Sequence, residues 1–313
     1  MVLLNQKKKS ENNTLYRTKN NKDQTSSTFF KDFLLLIKIG ITNSNSITAF
    51  AGICLAMFYN NLGFMDNLIA VILGTIGIWF VIAGSASFNN YIDRDIDVKM
   101  KRTTRRPTVS GRFSLPFVLI VSLSFITIGL VLLSQTSIMA GIIGALGSFA
   151  YIVLYTIWTK RRYTINTVVG SLSGAVPPLI GWATIDPNLH PAAWGLFLIM
   201  FIWQIPHFLA LAIKKKEDYR KAGIPMLPVV YGNAITKRQI MLWILCLLPT
   251  PIILYRLGIP FFILATGLNV GWIITGIIGF RTMDDNKWAS KMFIYSLNYL
   301  TILFVAMVVF TMI

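Results

Sequence analysis

From about Leu36 to the C-terminus, apolar runs of 18–25 residues alternate with short polar stretches. The runs fall approximately at 37–59, 68–92, 115–134, 138–158, 164–184, 192–213, 240–257, 259–280 and 292–312. A helix needs about 20 apolar residues to cross the hydrocarbon of a bilayer. The pattern therefore predicts an all-α, polytopic membrane protein with nine transmembrane helices. The weakest boundary is between the seventh and eighth, where only Arg256-Leu257-Gly258 and Pro260 interrupt the apolar run. Residues 1–35 read differently. They are polar, rich in Lys, Asn, Ser and Thr, and hold no apolar core of a signal peptide. Lys dominates over Arg, and Glu11 and Asp23 interrupt it, unlike a mitochondrial transit peptide. A disordered cytoplasmic tail over 1–35 and one transmembrane domain over 36–313 are expected.

Composition agrees. Only 13% of the 313 residues are charged, against 55% hydrophobic, and mean hydropathy is +0.63. Soluble domains carry about 25% charged residues. The net charge of +17 could suit a nucleic acid, but its placement argues against one. With the N-terminus inside, 28 of the 29 Lys and Arg residues fall in segments on one side, and only Arg256 does not. The opposite loops 60–67, 135–137 and 185–191 hold no Lys or Arg. Such asymmetry marks the cytoplasmic side, with membrane lipids as the surroundings and no nucleic acid as partner. Cys54 and Cys246 lie in separate apolar runs without pairing or metal-ligand spacing, which suits packing.

The two long basic loops share a pattern. Ten residues after Asp97 comes Pro107-Thr108-Val109-Ser110-Gly111, and ten after Asp218 comes Pro228-Val229-Val230-Tyr231-Gly232, where the lead residues count nine between them and each proline. Each loop follows an even-numbered helix, the second and the sixth. Two parallel four-helix repeats with a ninth helix added, and a site between them, are expected.

Two constellations carry chemistry. If the second helix runs on, Asn89, Asp93 and Asp97 are spaced by four and share one face. Magnesium is often held by one or two carboxylates plus substrate phosphates, so these residues are candidate metal ligands at the membrane boundary. The competing reading is a solvated helix end. Asp95 points away, and a bond to Lys99 is its expected role. On the sixth helix, His207, Lys214 and Asp218 fall close to one line at offsets of 7 and 11. Lys214 takes the place of Asp93 in the repeat and Asp218 that of Asp97, so Asp218 is a further candidate ligand. Lys214 is expected to touch an anion or pair with Asp218. Arg102, Arg105 and Arg106, with Lys160 and Arg161, are candidate phosphate contacts, although the positive-inside rule explains part of that charge. A phosphate-cradling glycine loop, a zinc helix motif, a nucleophile elbow and a cysteine cluster are all missing.

The run Asn89 to Asp97, followed by Arg102-Thr103 and Arg105-Arg106-Pro107, resembles the UbiA superfamily of intramembrane prenyltransferases. Three further stretches are similar to its protoheme IX farnesyltransferase (heme O synthase) branch: Tyr155-Thr156 with Lys160-Arg161; Asn166 with Gly174 to Trp182; and Trp203-Gln204-Ile205-Pro206-His207 with Asp218-Tyr219 and Ala222 to Val229. The resemblance implies a nine-helix bundle, Mg2+ as cofactor, farnesyl diphosphate as donor and heme b as acceptor. Other membrane enzymes of heme biosynthesis are its expected neighbours. The superfamily's second motif is a pair of aspartates spaced by four, and Lys214 departs from it. His207 is then either a packing histidine, an axial ligand to heme iron or a hydrogen-bond partner of the substrate. An aromatic prenyltransferase of quinone synthesis is the alternative within enzymes. A transporter is the alternative outside them, disfavoured because transporters bind near mid-membrane.

Overall fold

The computed structural model of the chain describes residues 29–281 and 284–312. Among them, nine long helices succeed one another and no strand forms: α1 Ile39–Tyr59, α2 Leu68–Ile92, α3 Leu115–Thr136, α4 Ile138–Thr159, α5 Asn166–Ala183, α6 Pro191–Lys214, α7 Gly232–Leu245, α8 Gly258–Arg281 and α9 Asp285–Phe310. Seven described segments are long and apolar enough to cross a membrane. One of these, Gly232–Ile278, contains α7 and most of α8. They are joined by a 3-10 turn over Thr250–Leu257, after which Gly258 takes φ 86°. α5 stands outside that set because hydroxyls and Pro177-Pro178 dilute its apolar character.

Burial separates the centre from the lipid-facing rim. The most apolar stretch of α6 is 72% buried and that of α1 61%, against 22% for α3. α5 packs on α1, α4 and α6, while α9 closes against α6 and α1. Outward-facing Ile120, Leu123 and Val131 on α3 are what a bilayer would cover.

The α1–α5 crossing depends on small residues. A Cβ on Gly52 would strike the carbonyl of Pro178, and one on Gly181 would strike the carbonyl of Ala49. Both obstacles are backbone, which has no rotamer to yield. Gly181→Ala is expected to cost about 1–3 kcal/mol by overpacking, read as a lower Tm of the detergent-purified protein. An unchanged Tm would show that the helices can part freely.

Three boundaries differ from the expectation. Phe29–Leu36 is a helix, not part of a disordered tail. Its Asp32 is buried and accepts a 2.7 Å hydrogen bond from Arg112, and Phe29 packs on Phe113 at 5.3 Å. Phe29 and Phe33, packed on Phe113, Phe117 and Phe125, anchor a segment whose composition was dominated by the polar residues before it. The rest of the expected tail, residues 1–28, lies outside the described residues. α7 begins at Gly232 and not at 240, and α9 at Asp285 and not at 292. Their first turns are polar, so hydropathy does not register them. Asp284 caps α9 by accepting from the Lys287 amide, and Lys237 of α7 pairs with Asp285.

Candidate active site

α2 ends at Ile92, and Asp93 opens the single turn Arg94–Asp97. The i→i−4 amide bonds nevertheless run through, Asp93 to Asn89 and Asp97 to Asp93, both at 2.9 Å. The face proposed from spacing is therefore kept. Asn89, Asp93 and Asp97 are buried to 2%, 0% and 1% exposure.

Cations from three other segments converge there. Lys160 pairs with Asp93 Oδ2, and Arg106 Nη1 bonds Asp97 Oδ2 at 2.5 Å. Arg161 lies 3.6 Å from Asp93 Oδ1 while forking both its nitrogens onto Asp95 at 2.8 Å. Lys38 donates to Asn89 Oδ1 at 2.5 Å, and the Asn89 amide donates to Asp93 and to Thr156 Oγ1. Four cations therefore surround the two buried carboxylates. Burial raises the pKa of Asp97 above the ordinary carboxylate value, opposed by Arg106. Burial, then the charges of Arg106 and Lys160, hold Lys38 well below the ordinary lysine value.

Asp93 Oδ1 and Asp97 Oδ1 are buried and accept no hydrogen bond. A buried acceptor without a partner is costly. Two such carboxylate oxygens, on one face and next to phosphate-type donors, fit the ligand set of Mg2+. The oxygen of Asn89 is taken by Lys38. Among the described residues no three His, Cys, Asp or Glu side chains gather closely enough to hold a metal alone.

The C-terminal half of α4, Ala150–Thr159, winds as a π-helix, a feature frequent at functional sites. Its wider turn brings Thr156 under Asn89 and Lys160 onto Asp93. Tyr155 and Tyr151 stack at 5.9 Å beside them, and the Lys160 ammonium lies 5.7 Å above the Tyr155 ring.

On the sixth helix the geometry departs from the spacing argument. α6 ends at Lys214, Lys215 takes φ −112°, ψ 21°, and a new helix covers Lys216–Ala222. Asp218 is thus not on the continued line of His207. Among the described residues no ion pair joins Lys214 to Asp218, or either of them to Asp93 or Asp97. The Lys214 ammonium instead lies 4.8 Å over the Phe293 ring, and Lys214 and Asp218 line a cavity of about 720 Å³ with Arg102. Arg102 reaches the Tyr219 hydroxyl at 3.3 Å, bridging the two long loops.

His207 is buried between α6 and α9. Its ring stacks on Trp203 at 4.8 Å and on Phe293 at 4.7 Å. Nδ1 is 2.7 Å from Ser296 Oγ, whose one proton goes to the Phe293 carbonyl at 2.6 Å. With the Ser296 proton on the Phe293 carbonyl, Nδ1 donates to Ser296 Oγ and Nε2 is the unprotonated ring nitrogen. A ligating histidine usually donates its other ring nitrogen in this way.

The model of the UbiA prenyltransferase family matches residues 46–297. The chain belongs to that family. It is 59% identical over 286 residues to protoheme IX farnesyltransferase 2 of Bacillus velezensis, covering 91% of this chain and 94% of that one. It is 58% identical over 286 residues to protoheme IX farnesyltransferase of Bacillus cereus, covering 91% and 93%. The fold is similar to that of a digeranylgeranylglyceryl phosphate synthase, with TM-score 0.71, 21% identity, and 90% and 98% coverage. A UbiA homolog from Archaeoglobus fulgidus bound to GPP and Mg2+ gives TM-score 0.61 and 14% identity, with 89% and 99% coverage.

In this UbiA chain, Arg106, Lys160 and Arg161 stand with the aspartates. Arg105 is exposed and makes no hydrogen bond or ion pair among the described residues. The expected Asp95–Lys99 bond is replaced by Asp95–Arg161, which holds the Asp95 pKa below the ordinary value. Charge across a bundle outcompetes a neighbour on the same turn when Arg can fork both oxygens. Sequence reasoning missed Lys38 and Ser296, and gave Thr156 no role beyond the family resemblance. Lys38 reaches Asn89 because φ 50° turns the chain there, just before α1. Its only visible signal was to be the one charge at the N-terminal edge of the first apolar run.

Proposed function

We propose that this chain is a protoheme IX farnesyltransferase. It transfers the farnesyl group of farnesyl diphosphate to a vinyl group of heme b and yields heme O and diphosphate. The observation that carries the site assignment is the pair of buried oxygens on Asp93 and Asp97 that accept no hydrogen bond, among Lys38, Arg106, Lys160 and Arg161. Mg2+, held by these aspartates, would supply charge neutralisation on the diphosphate. Lys38, Arg106, Lys160 and Arg161 would bind its oxygens and stabilise the negative charge that develops as the allylic C–O bond breaks. The stacked Tyr151 and Tyr155 offer π-faces to the farnesyl cation, and the bundle keeps bulk water from it. The terminal vinyl carbon then donates its electron pair to farnesyl C1. The positive charge left on the carbon next to the porphyrin is captured by water, which loses a proton to give the hydroxyl.

We place the protein in the bacterial cell membrane with its N-terminus and the site on the cytoplasmic side, on the strength of the Lys and Arg asymmetry. A panel of acceptors tests the substrate. Purified protein with farnesyl diphosphate and Mg2+ is expected to release diphosphate with heme b and not with 4-hydroxybenzoate. The reverse preference would move the chain to the quinone branch.

A further inference from the structure

Lys38 reaches the site from a strained position. It lies between the Phe29–Leu36 helix and α1 at φ 50°, ψ 53°, a left-handed conformation that a residue with a Cβ disfavours. Such a conformation persists only where its surroundings fix it, and it gathers at functional sites. Here it places the ammonium 2.5 Å from Asn89 Oδ1, beside the two buried aspartates. The contacts that fix it come from either side. The fully buried Asn90 amide donates to the Leu36 carbonyl at 2.8 Å, and Thr42 Oγ1 donates to the Ile37 carbonyl at 2.7 Å. Further back, buried Asp32 accepts from Arg112, and Leu36 packs with Phe113 and Val118.

Neighbouring residues of α2 thus divide the task. Asn89 meets the lysine side chain, and Asn90 holds the backbone that carries it. The loop after α2 does the same, with Arg106 on Asp97 and Arg112 on Asp32. The aromatic contacts of Phe29 and Phe33 would hold the short helix without an acid in it. A buried ion pair adds little net stability, so what Asp32 contributes is one fixed seating of the segment on the bundle. We propose that Asp32 and Asn90 are positioning residues of the donor site. They seat the Phe29–Leu36 segment so that Lys38 keeps its left-handed turn and presents its ammonium to the diphosphate of the donor. Neither touches the donor; both act through Lys38, which relaxes to an ordinary φ and turns its side chain away from Asn89 once either contact is broken. The inference rests on the reading above in which Lys38 binds diphosphate oxygens.

A double-mutant cycle on donor binding tests this. The purified full-length protein with Mg2+ is titrated calorimetrically with farnesyl diphosphate, as wild type, Lys38→Met, Asp32→Asn and the two combined. Lys38→Met is expected to weaken binding about tenfold, the worth of one charge-assisted hydrogen bond. Asp32→Asn should weaken it about threefold to tenfold, and in the Lys38→Met background it should cost nothing further. Asn90→Ala, which removes a single bond to the segment, carries the same cycle should Asp32→Asn fail to insert. A purely structural part would lower Tm and give additive losses. Additive losses in the cycle, or donor affinity unchanged in both Asp32→Asn and Asn90→Ala, overturn the proposal. Unchanged affinity in Lys38→Met overturns it from the other side, by removing Lys38 from the diphosphate. A wild-type protein that does not bind farnesyl diphosphate would instead contradict the donor reading itself.

Discussion

Asp93→Asn and Asp97→Asn are each expected to lower kcat by about 10²–10³-fold, the size of effect seen when one group stabilising developing charge is lost. The amide keeps the volume of the carboxylate but removes the charge that would hold Mg2+. The effect is distinguishable from unfolding. Breaking a buried ion pair costs about 3–5 kcal/mol, so each variant must also be shown to insert and to keep its helical content. Asp95 provides the internal control, since it is 60% exposed and faces only Arg161. Asp95→Asn should reduce activity far less, and added Mg2+ should not restore what is lost. Equal losses at all three positions, indifferent to Mg2+ concentration, would contradict the metal assignment.

His207→Ala should alter the absorption spectrum of bound heme and weaken heme binding, with farnesyl diphosphate affinity nearly unchanged. An Nδ1–H donated to Ser296 leaves Nε2 as the nitrogen able to ligate iron, with the ring held between Trp203 and Phe293. Ser296→Ala should act in the same direction but less strongly, because the ring keeps its stacking and loses only the bond that fixes its tautomer. An unchanged heme spectrum in His207→Ala would eliminate ligation, and leave packing or a hydrogen bond to the substrate as the role of His207.

How far the sequence carried depends on whether a relationship is local. Asn89, Asp93 and Asp97 were legible because one helical repeat sets all three on a face, and the backbone bonds carry that face past the end of α2. The two long loops were legible for the same reason. Both hold a one-turn helix, Pro107–Ser110 and Leu227–Val230, and both follow it with a glycine at positive φ, Gly111 at 72° and Gly232 at 82°. The line from His207 to Asp218 failed because α6 stops at Lys214, and a break of one residue rotates everything beyond it. Asp95–Arg161, Lys38–Asn89 and His207–Ser296 join residues 66, 51 and 89 positions apart. Those distances are set by packing between helices, which no periodicity in one chain segment encodes. Phe29–Leu36 was lost for a simpler reason, its aromatic residues being averaged into a polar neighbourhood.

The most direct test of the central claim is the mass of the porphyrin recovered after the purified protein is incubated with heme b, farnesyl diphosphate and Mg2+. The account predicts a product heavier than heme b by one farnesyl chain and one hydroxyl, absent when Mg2+ is chelated and absent with Asp93→Asn. Recovery of heme b unchanged, under conditions where the same protein prenylates a different acceptor, would contradict it.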